Sequence, residues 1–401
     1  MVIDVAAIKS QFPIFGHHAD LVYLDNAATS QKPSSVIRAT ANFYERSNAN
    51  IHRGLYRLSS DASRSYESVR TQVAKLIEAS DPRCIAFTKG TTESINLIAS
   101  GFLKSRLQHG DNVIISALEH HANFIPWQQV CQEKECELRI AGLTAEGELD
   151  FQDFKRKLDT KTKLVAVTHV SNVLGSVNPI KKITEECHRV NVPVVVDAAQ
   201  SVGHIPVSVK ELDVDFLTFS AHKMFGPMGV GVLYAHSKFR NEIVPMNFGG
   251  GAIKIVTERE TVFLDYPAKL EAGTPDVAGV VGFGAALEFI QKIDLNTCHQ
   301  HTVHLATTLV EKLRRLSFVE IYGKSQTGIV SFNISNIHPH DVASFLADKN
   351  IAVRAGHHCA QPLMDRLNIG ATVRASFAMY NSVEDVDALV ASVTDVKKFW
   401  S

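Results

Sequence analysis

The sequence has no apolar run long enough to cross a membrane. VPVVVDAA and VGVGVLYA stop well short of the ~18 residues a spanning helix needs, so no membrane partner is expected. Neither charge is in excess. Lys and Arg number 41 against 42 Asp and Glu, for a formal net charge of −1, which argues against a basic footprint for nucleic acid and against an acidic disordered tail. The six cysteines, Cys84, Cys131, Cys136, Cys187, Cys298 and Cys359, are scattered and include no CxxC pair. A disulfide framework is therefore not expected, nor is a metal site. Residues 1–15 lack a basic start followed by an unbroken apolar run, so no secretory signal is expected and the chain reads as soluble and cytoplasmic. There is no internal repeat and no low-complexity linker.

What is present is an ordinary globular composition, 45% hydrophobic and 21% charged, over 401 residues, a length that suggests two domains. Short apolar runs at 84–88, 112–117, 164–169, 192–197, 215–220 and 230–235 read as strands. Several are apolar throughout, as strands covered on both faces are. Helical patterns at 93–107 and 181–190 lie between them, and this alternation predicts a mainly parallel α/β sheet. The step from 220 to 230 is too short for a helix, so a hairpin there would leave one strand antiparallel. Beyond about residue 265 helices are expected at 278–293, 304–316 and 383–400, with strands at 328–335 and 351–356. The expected division is an N-terminal segment (1–20) packing with the small domain, a large domain (21–265) and a small C-terminal α/β domain (266–401).

The unusual polar residues fall at strand ends, where open parallel sheets bind ligands. Thr91 and Thr92 follow the first run; Glu119, His120 and His121 follow the second. Ser171 and Asn172 follow the third, Asp197 and Gln200 the fourth, and Ser220, His222 and Lys223 the fifth. One such end would mean little; five are hard to explain as packing.

Asp197 in VVVDAAQ is either a helix cap or a carboxylate paired with a ring nitrogen, as a pyridinium acting as an electron sink requires. Gln200, three residues on, can reach the same ligand. Lys223 in SAHKM precedes the glycine-rich GPMGVG. Alone it reads as a solvated loop charge. With Ser220 and His222 beside it, a buried nucleophilic amine next to a phosphate is the better reading. The turn KGTTESIN offers backbone N–H groups to an anion at a helix start, although Thr91 would equally serve as an N-cap. In EHHAN an imidazole could stack on a flat ring, or the two histidines could simply lie at the surface. Cys359 sits between two histidines and a glutamine in RAGHHCAQP, which does not suit an inert buried thiol. Arg354, His357 and His358 are close enough in sequence to favour its anion. Gly356 and Pro362 predict a mobile loop. Arg374 is a natural fork for a carboxylate, or else a surface ion pair.

Lys223 in SAHK, Asp197 in VDAAQ and TKGTTESIN together resemble the fold-type I pyridoxal-phosphate enzymes, and more narrowly the class V aminotransferase group. RAGHHCAQP, with SNVLG, EHHAN and RASFAMYN, resembles the group II cysteine desulfurases, the Suf- and CSD-type branch. The resemblance runs from DNAATSQKP (25–33) to RASFAMYN (374–381). It implies a large domain with a mainly parallel seven-stranded sheet plus a smaller α/β C-terminal domain. It implies pyridoxal 5'-phosphate bound covalently to Lys223, with Asp197 on the ring nitrogen, Gln200 on the phenolic oxygen and His120 stacked on the ring. Thr91, Thr92, Ser220 and His222 would hold the phosphate, joined by Thr274 in EAGTPD from a neighbouring subunit, hence a homodimer. Arg374, assisted by Asn172, would hold the substrate carboxylate, with Arg354 and His52 at the rim. Asp276 and Ala198 depart from the family's usual Asn and Gly; the first bears on the subunit contact.

The activity implied is conversion of L-cysteine to L-alanine, with the sulfur left on Cys359 as a persulfide. From there it would pass to a small sulfur-acceptor protein or to iron–sulfur cluster assembly. L-selenocysteine and cysteine sulfinate remain open as substrates, so selenocysteine lyase and cysteine sulfinate desulfinase are the alternatives. An aminotransferase and a non-catalytic scaffold of the same fold are the further rivals.

Overall fold

The computed structural model describes residues 3–400. Seven strands build the large sheet: β1 (Ile85–Thr88), β2 (Asn112–Ser116), β3 (Glu137–Ala141), β4 (Thr162–Thr168), β5 (Val194–Asp197), β6 (Phe216–Ser220) and β7 (Gly231–Ala235). Their order is β1-β7-β6-β5-β4-β2-β3. The pairings are parallel except those of β7, which runs antiparallel to both β6 and β1, as the short step between β6 and β7 predicts.

Both faces of this sheet are covered, which is why its strands read as continuous apolar runs. Along β5, Val194 and Val196 enter one core while Val195 enters the other. Every residue of β2, β5, β6 and β7 is buried. The edge strand β3 is half open, and its sequence ELRIA gives no such run.

Two helices, Ser34–Asn42 and Arg57–Leu76, cover one face together with Val277–Gln291. The last is apolar nearly all round and packs closely because it carries glycines. A Cβ on Gly282 would lie 2.2 Å from the Thr40 hydroxyl, and one on Gly284 would lie 2.7 Å from Val69. This helix, on the C-terminal side of the expected division at 265–266, thus shares the core of the large sheet. At the N-terminus, Phe12 meets Phe225 and Phe289 edge-on and also meets Tyr380, touching both ends of the chain.

The C-terminal sheet comprises β8 (Val319–Tyr322), β9 (Ile329–Ile334), β10 (Arg354–Gly356) and β11 (Thr372–Ser376), ordered β8-β9-β11-β10 and antiparallel throughout. Helices Leu295–Arg314, Pro339–Ala347 and Val383–Phe399 back it around a separate apolar core. Two of the expected elements take a different form. The run 351–356 is divided, because Ile351–Ala352 pairs with Val22–Tyr23 and only then does β10 join β11. The helix expected over 93–107 is α-helical only over Thr91–Ile98 and continues as a π-helical turn, Ala99–Leu103. Gly101 in that turn lies against the Val244 carbonyl, where any side chain would collide. No helix among the described residues is long and apolar enough to cross a membrane.

Candidate active site

The carboxyl ends of the parallel strands open on a cavity of ≈ 310 Å³. Its walls hold Thr91, Thr92, His120, Asn172, Asp197, Gln200, Ser220, His222 and Lys223 from the large sheet, and Arg354, Cys359 and Arg374 from the C-terminal lobe. Twelve of the fourteen residues to which the resemblance gives a catalytic, cofactor or substrate role therefore converge there. The other two, His52 and Thr274, do not. Both are exposed and line a second cavity, with Arg53, Gly250 and Glu271 among its walls.

The Lys223 amine is pushed to a lower pKa by burial. Asp197 opposes that shift and Arg374 adds to it. A neutral amine is the nucleophilic form. Asp197 ends β5, takes the Ala199 N–H at 2.9 Å, and is itself pushed up by burial, so it favours a cationic partner. Gln200 donates to the Ala27 carbonyl at 2.7 Å, keeping its second amide hydrogen free for another acceptor.

Thr91 and Ser220 meet at the helix start. The Thr91 N–H reaches the Ser220 hydroxyl at 2.9 Å, and the two hydroxyls are 2.8 Å apart. Gly231 makes room here, since a Cβ on it would fall 2.3 Å from the Gly90 Cα. The His120 ring accepts the Ala122 N–H at Nδ1, and burial drops its pKa to about 3. It is a neutral ring with its proton on Nε2. His222 is likewise lowered, to about 4, by burial and by Lys223.

Arg374 is buried. Its NH1 donates to the Asn172 carbonyl at 2.9 Å and its NH2 to Asp25 at 3.2 Å, while Nε has no acceptor. A buried N–H without a partner is costly. Burial lowers the guanidinium to about 10, still cationic at neutral pH.

Cys359 is exposed at the cavity mouth, near enough to Lys223, Arg354 and Arg374 for its charge to act on all three. The expected loop is shorter and better held than predicted. Pro362 lies in the first turn of a helix, Gln361–Arg366, rather than in the loop. Asn172 donates to the His358 carbonyl at 2.8 Å, and the His121 N–H to the Cys359 carbonyl at 2.6 Å. His358 is not the expected source of positive charge. Burial first, then Arg374, holds it near 3, so Arg354 is the cation adjoining the thiol.

Asp25, His121 and His358 belong to the site's supports; Asp25 carries no role in the sequence reading, His121 enters it only as one of the EHHAN pair, and His358 only as a charge beside the thiol. Asp25 follows the apolar LVYL directly, a strand-end carboxylate like Asp197, which was the available signal.

The donor set fits pyridoxal phosphate: a buried amine for its carbonyl, a buried carboxylate for its ring nitrogen, a neutral imidazole, and a helix-start N–H with hydroxyls for its phosphate.

Comparison with known proteins agrees with this geometry. The chain belongs to the aminotransferase class-V family, whose pattern matches residues 22–389. Within that family its relatives are cysteine desulfurases. One, from Cronobacter sakazakii, is 42% identical over 403 residues, covering 99% of each chain. Among solved structures, the cysteine desulfurase CsdA from Escherichia coli, described as an S-sulfonic acid, superposes with TM-score 0.94 at 37% identity over all of both chains. The apo cysteine desulfurase from Thermococcus onnurineus NA1 gives 0.95 at 39% identity over 99% of each.

Proposed function

We propose that this chain is a pyridoxal-phosphate-dependent cysteine desulfurase that moves the sulfur of L-cysteine onto Cys359 and releases L-alanine. One observation carries the reading: an exposed thiol from the C-terminal lobe and the amine of Lys223 line the same cavity.

Pyridoxal phosphate, when bound, supplies a carbonyl for covalent attachment and a ring that accepts electrons from the substrate's Cα. Lys223 would hold it covalently, Asp197 its ring nitrogen, Gln200 its phenolic oxygen, His120 its ring face, and Thr91, Thr92, Ser220 and His222 its phosphate. The substrate carboxylate lies on Arg374, which lines the cavity, with Asn172 fixing the guanidinium through its carbonyl. Lys223, whose pKa burial lowers, takes the Cα proton and returns it. The Cys359 thiolate attacks the substrate sulfur, forming a new S–S bond as the Cβ–S bond breaks. The carbon skeleton leaves as alanine once Cβ is protonated.

Exposure of Cys359 supports delivery of the persulfide to a small sulfur-acceptor protein, in sulfur trafficking or iron–sulfur cluster assembly. A homodimer is supported by the placement of His52 and Thr274 outside the first cavity and by the exposed apolar side chains of Leu55, Tyr56 and Phe248 nearby in the chain. Six free cysteines suit a reducing cytoplasm. We place the division between lobes after the helix Val277–Gln291, where the apolar core changes.

The test is alanine and sulfide release from L-cysteine. Wild type should yield both in the presence of a thiol reductant. Cys359→Ala should retain the coenzyme's absorbance and lose cysteine turnover. Equal turnover by both proteins would refute sulfur transfer to Cys359.

A further inference from the structure

Arg354 and Arg374 stand directly opposite each other on β10 and β11. Like charges in facing positions of neighbouring strands repel, so this pair needs a reason to persist. The reason is Asp25. Both oxygens of its carboxylate take the Arg354 Nε, at 3.1 and 3.2 Å, and one also takes the Arg354 NH2 at 2.8 Å. The Arg374 NH2 donates to the same carboxylate at 3.2 Å. Asp25 is fixed in turn by its chain neighbours, since the Ser376 N–H donates to the Leu24 carbonyl at 2.7 Å and the Ala27 N–H to the Ser376 hydroxyl at 2.9 Å. It does not line the cavity itself, so whatever it does is done through the two arginines.

The two guanidiniums face different ends of the substrate. Arg374 is deep and lines the cavity, where its guanidinium meets the α-carboxylate. Arg354 is exposed, beside Cys359, where the group on the substrate's β-carbon must lie for sulfur transfer. Asp25 occupies the Nε–NH2 edge of Arg354, the edge that would otherwise receive an anion bidentately. We propose that Asp25 is a positioning residue that sets substrate charge: by tying down Arg354 and sharing Arg374, it makes the pocket accept one anionic group and disfavour a second on the β-carbon. The favoured class is then an amino acid with a neutral thiol, and the disfavoured class carries sulfinate or carboxylate there. This rests on the desulfurase reading above.

The experiment compares wild type, Asp25→Asn and Asp25→Glu, all loaded with coenzyme and matched for absorbance and melting temperature. Steady-state kinetics are measured with L-cysteine and with cysteine sulfinate, and calorimetric affinities with L-alanine and L-aspartate. Asp25→Asn should shift the sulfinate-to-cysteine ratio of kcat/KM upward by roughly tenfold, the effect of about one charge-assisted hydrogen bond released on Arg354. The aspartate-to-alanine affinity ratio should move the same way, and Asp25→Glu should restore both ratios toward wild type. Ratios unchanged in Asp25→Asn, with both substrates losing equally, would overturn the proposal and leave Asp25 a purely structural support. Should Asp25→Asn fail to fold, the affinity ratio in Arg354→Gln decides: it must fall below wild type if the freed edge of Arg354 is what a second anion seeks. Failure of the desulfurase reading shows separately, as wild type that does not turn over L-cysteine at all.

Discussion

The main-chain carbonyl of Cys359 accepts the N–H of His121 at 2.6 Å, joining the thiol's loop to the end of a large-sheet strand more than two hundred residues away. The His121 ring continues the contact, its Nε2 taking the Gln361 N–H at 3.1 Å. Just ahead of these two bonds the backbone is held in an uncommon state, His358 and Cys359 both lying in the left-handed region with φ of 52° and 53°. Consecutive non-glycine residues there cost energy that the surroundings must offset.

Removing the His121 ring should therefore loosen the thiol without disturbing the coenzyme. His121→Ala deletes one hydrogen bond and keeps the backbone one. We expect cysteine turnover to fall about fivefold, the effect of roughly 1 kcal/mol of lost positioning. Amide exchange at 359–363 should accelerate while coenzyme absorbance stays constant. Exchange that is unchanged in this segment would show that the ring does not hold the loop.

Thr274 offers a test of assembly. It is exposed on the rim of the second cavity, away from Lys223. If Thr274 serves a neighbouring subunit's site, Lys223→Ala and Thr274→Ala chains complement each other. In a mixed dimer one site lacks both groups and the other has both. Co-expressed variants assayed at limiting coenzyme should regain about a quarter of wild-type activity, from random pairing of two chains. No recovery above the separate Thr274→Ala protein would place Thr274 in its own subunit's chemistry or outside it.

The strand-end clusters were legible because burial on both faces forces apolar runs, and any polar group at their ends stands out. Asp197 and Lys223 are examples. The strand β3 was not, since its half-open edge admits Glu137 and Arg139. Asp25 was visible as a residue but not as a bridge, because its partners Arg354 and Arg374 are more than three hundred positions away and meet it only after β10 and β11 pair. The small-lobe strands β8 and β11 were missed for a related reason: each is short, and β11 carries Arg374 in a buried position that sequence patterning assigns to polar surface.

Glu119 is a buried carboxyl that the proposed chemistry does not use, and it makes stability depend on pH. It lies at the end of β2 and accepts from the Ser116 hydroxyl, from the Asn123 amide at 2.6 Å and from the Thr168 N–H at 2.9 Å, stapling β2 to β4. Burial raises its pKa from 4.5 to about 8, prevailing over those three hydrogen bonds. A folded-state pKa above the unfolded value means that the native protein keeps a proton the unfolded chain releases. The stabilisation is complete below about 4.5 and is lost as pH climbs toward about 8. The slope from one proton is at most about 1.4 kcal/mol per pH unit. Glu119→Gln keeps an acceptor for Thr168 but cannot titrate. Melting temperatures of the two coenzyme-loaded proteins, measured from about pH 5 to about pH 8.5, should diverge steadily in favour of the glutamine variant as pH rises. Titrations common to both proteins cancel in the difference. A difference that stays constant over that interval would mean Glu119 is ionised throughout, and its three donors, not its burial, would then govern the charge it carries.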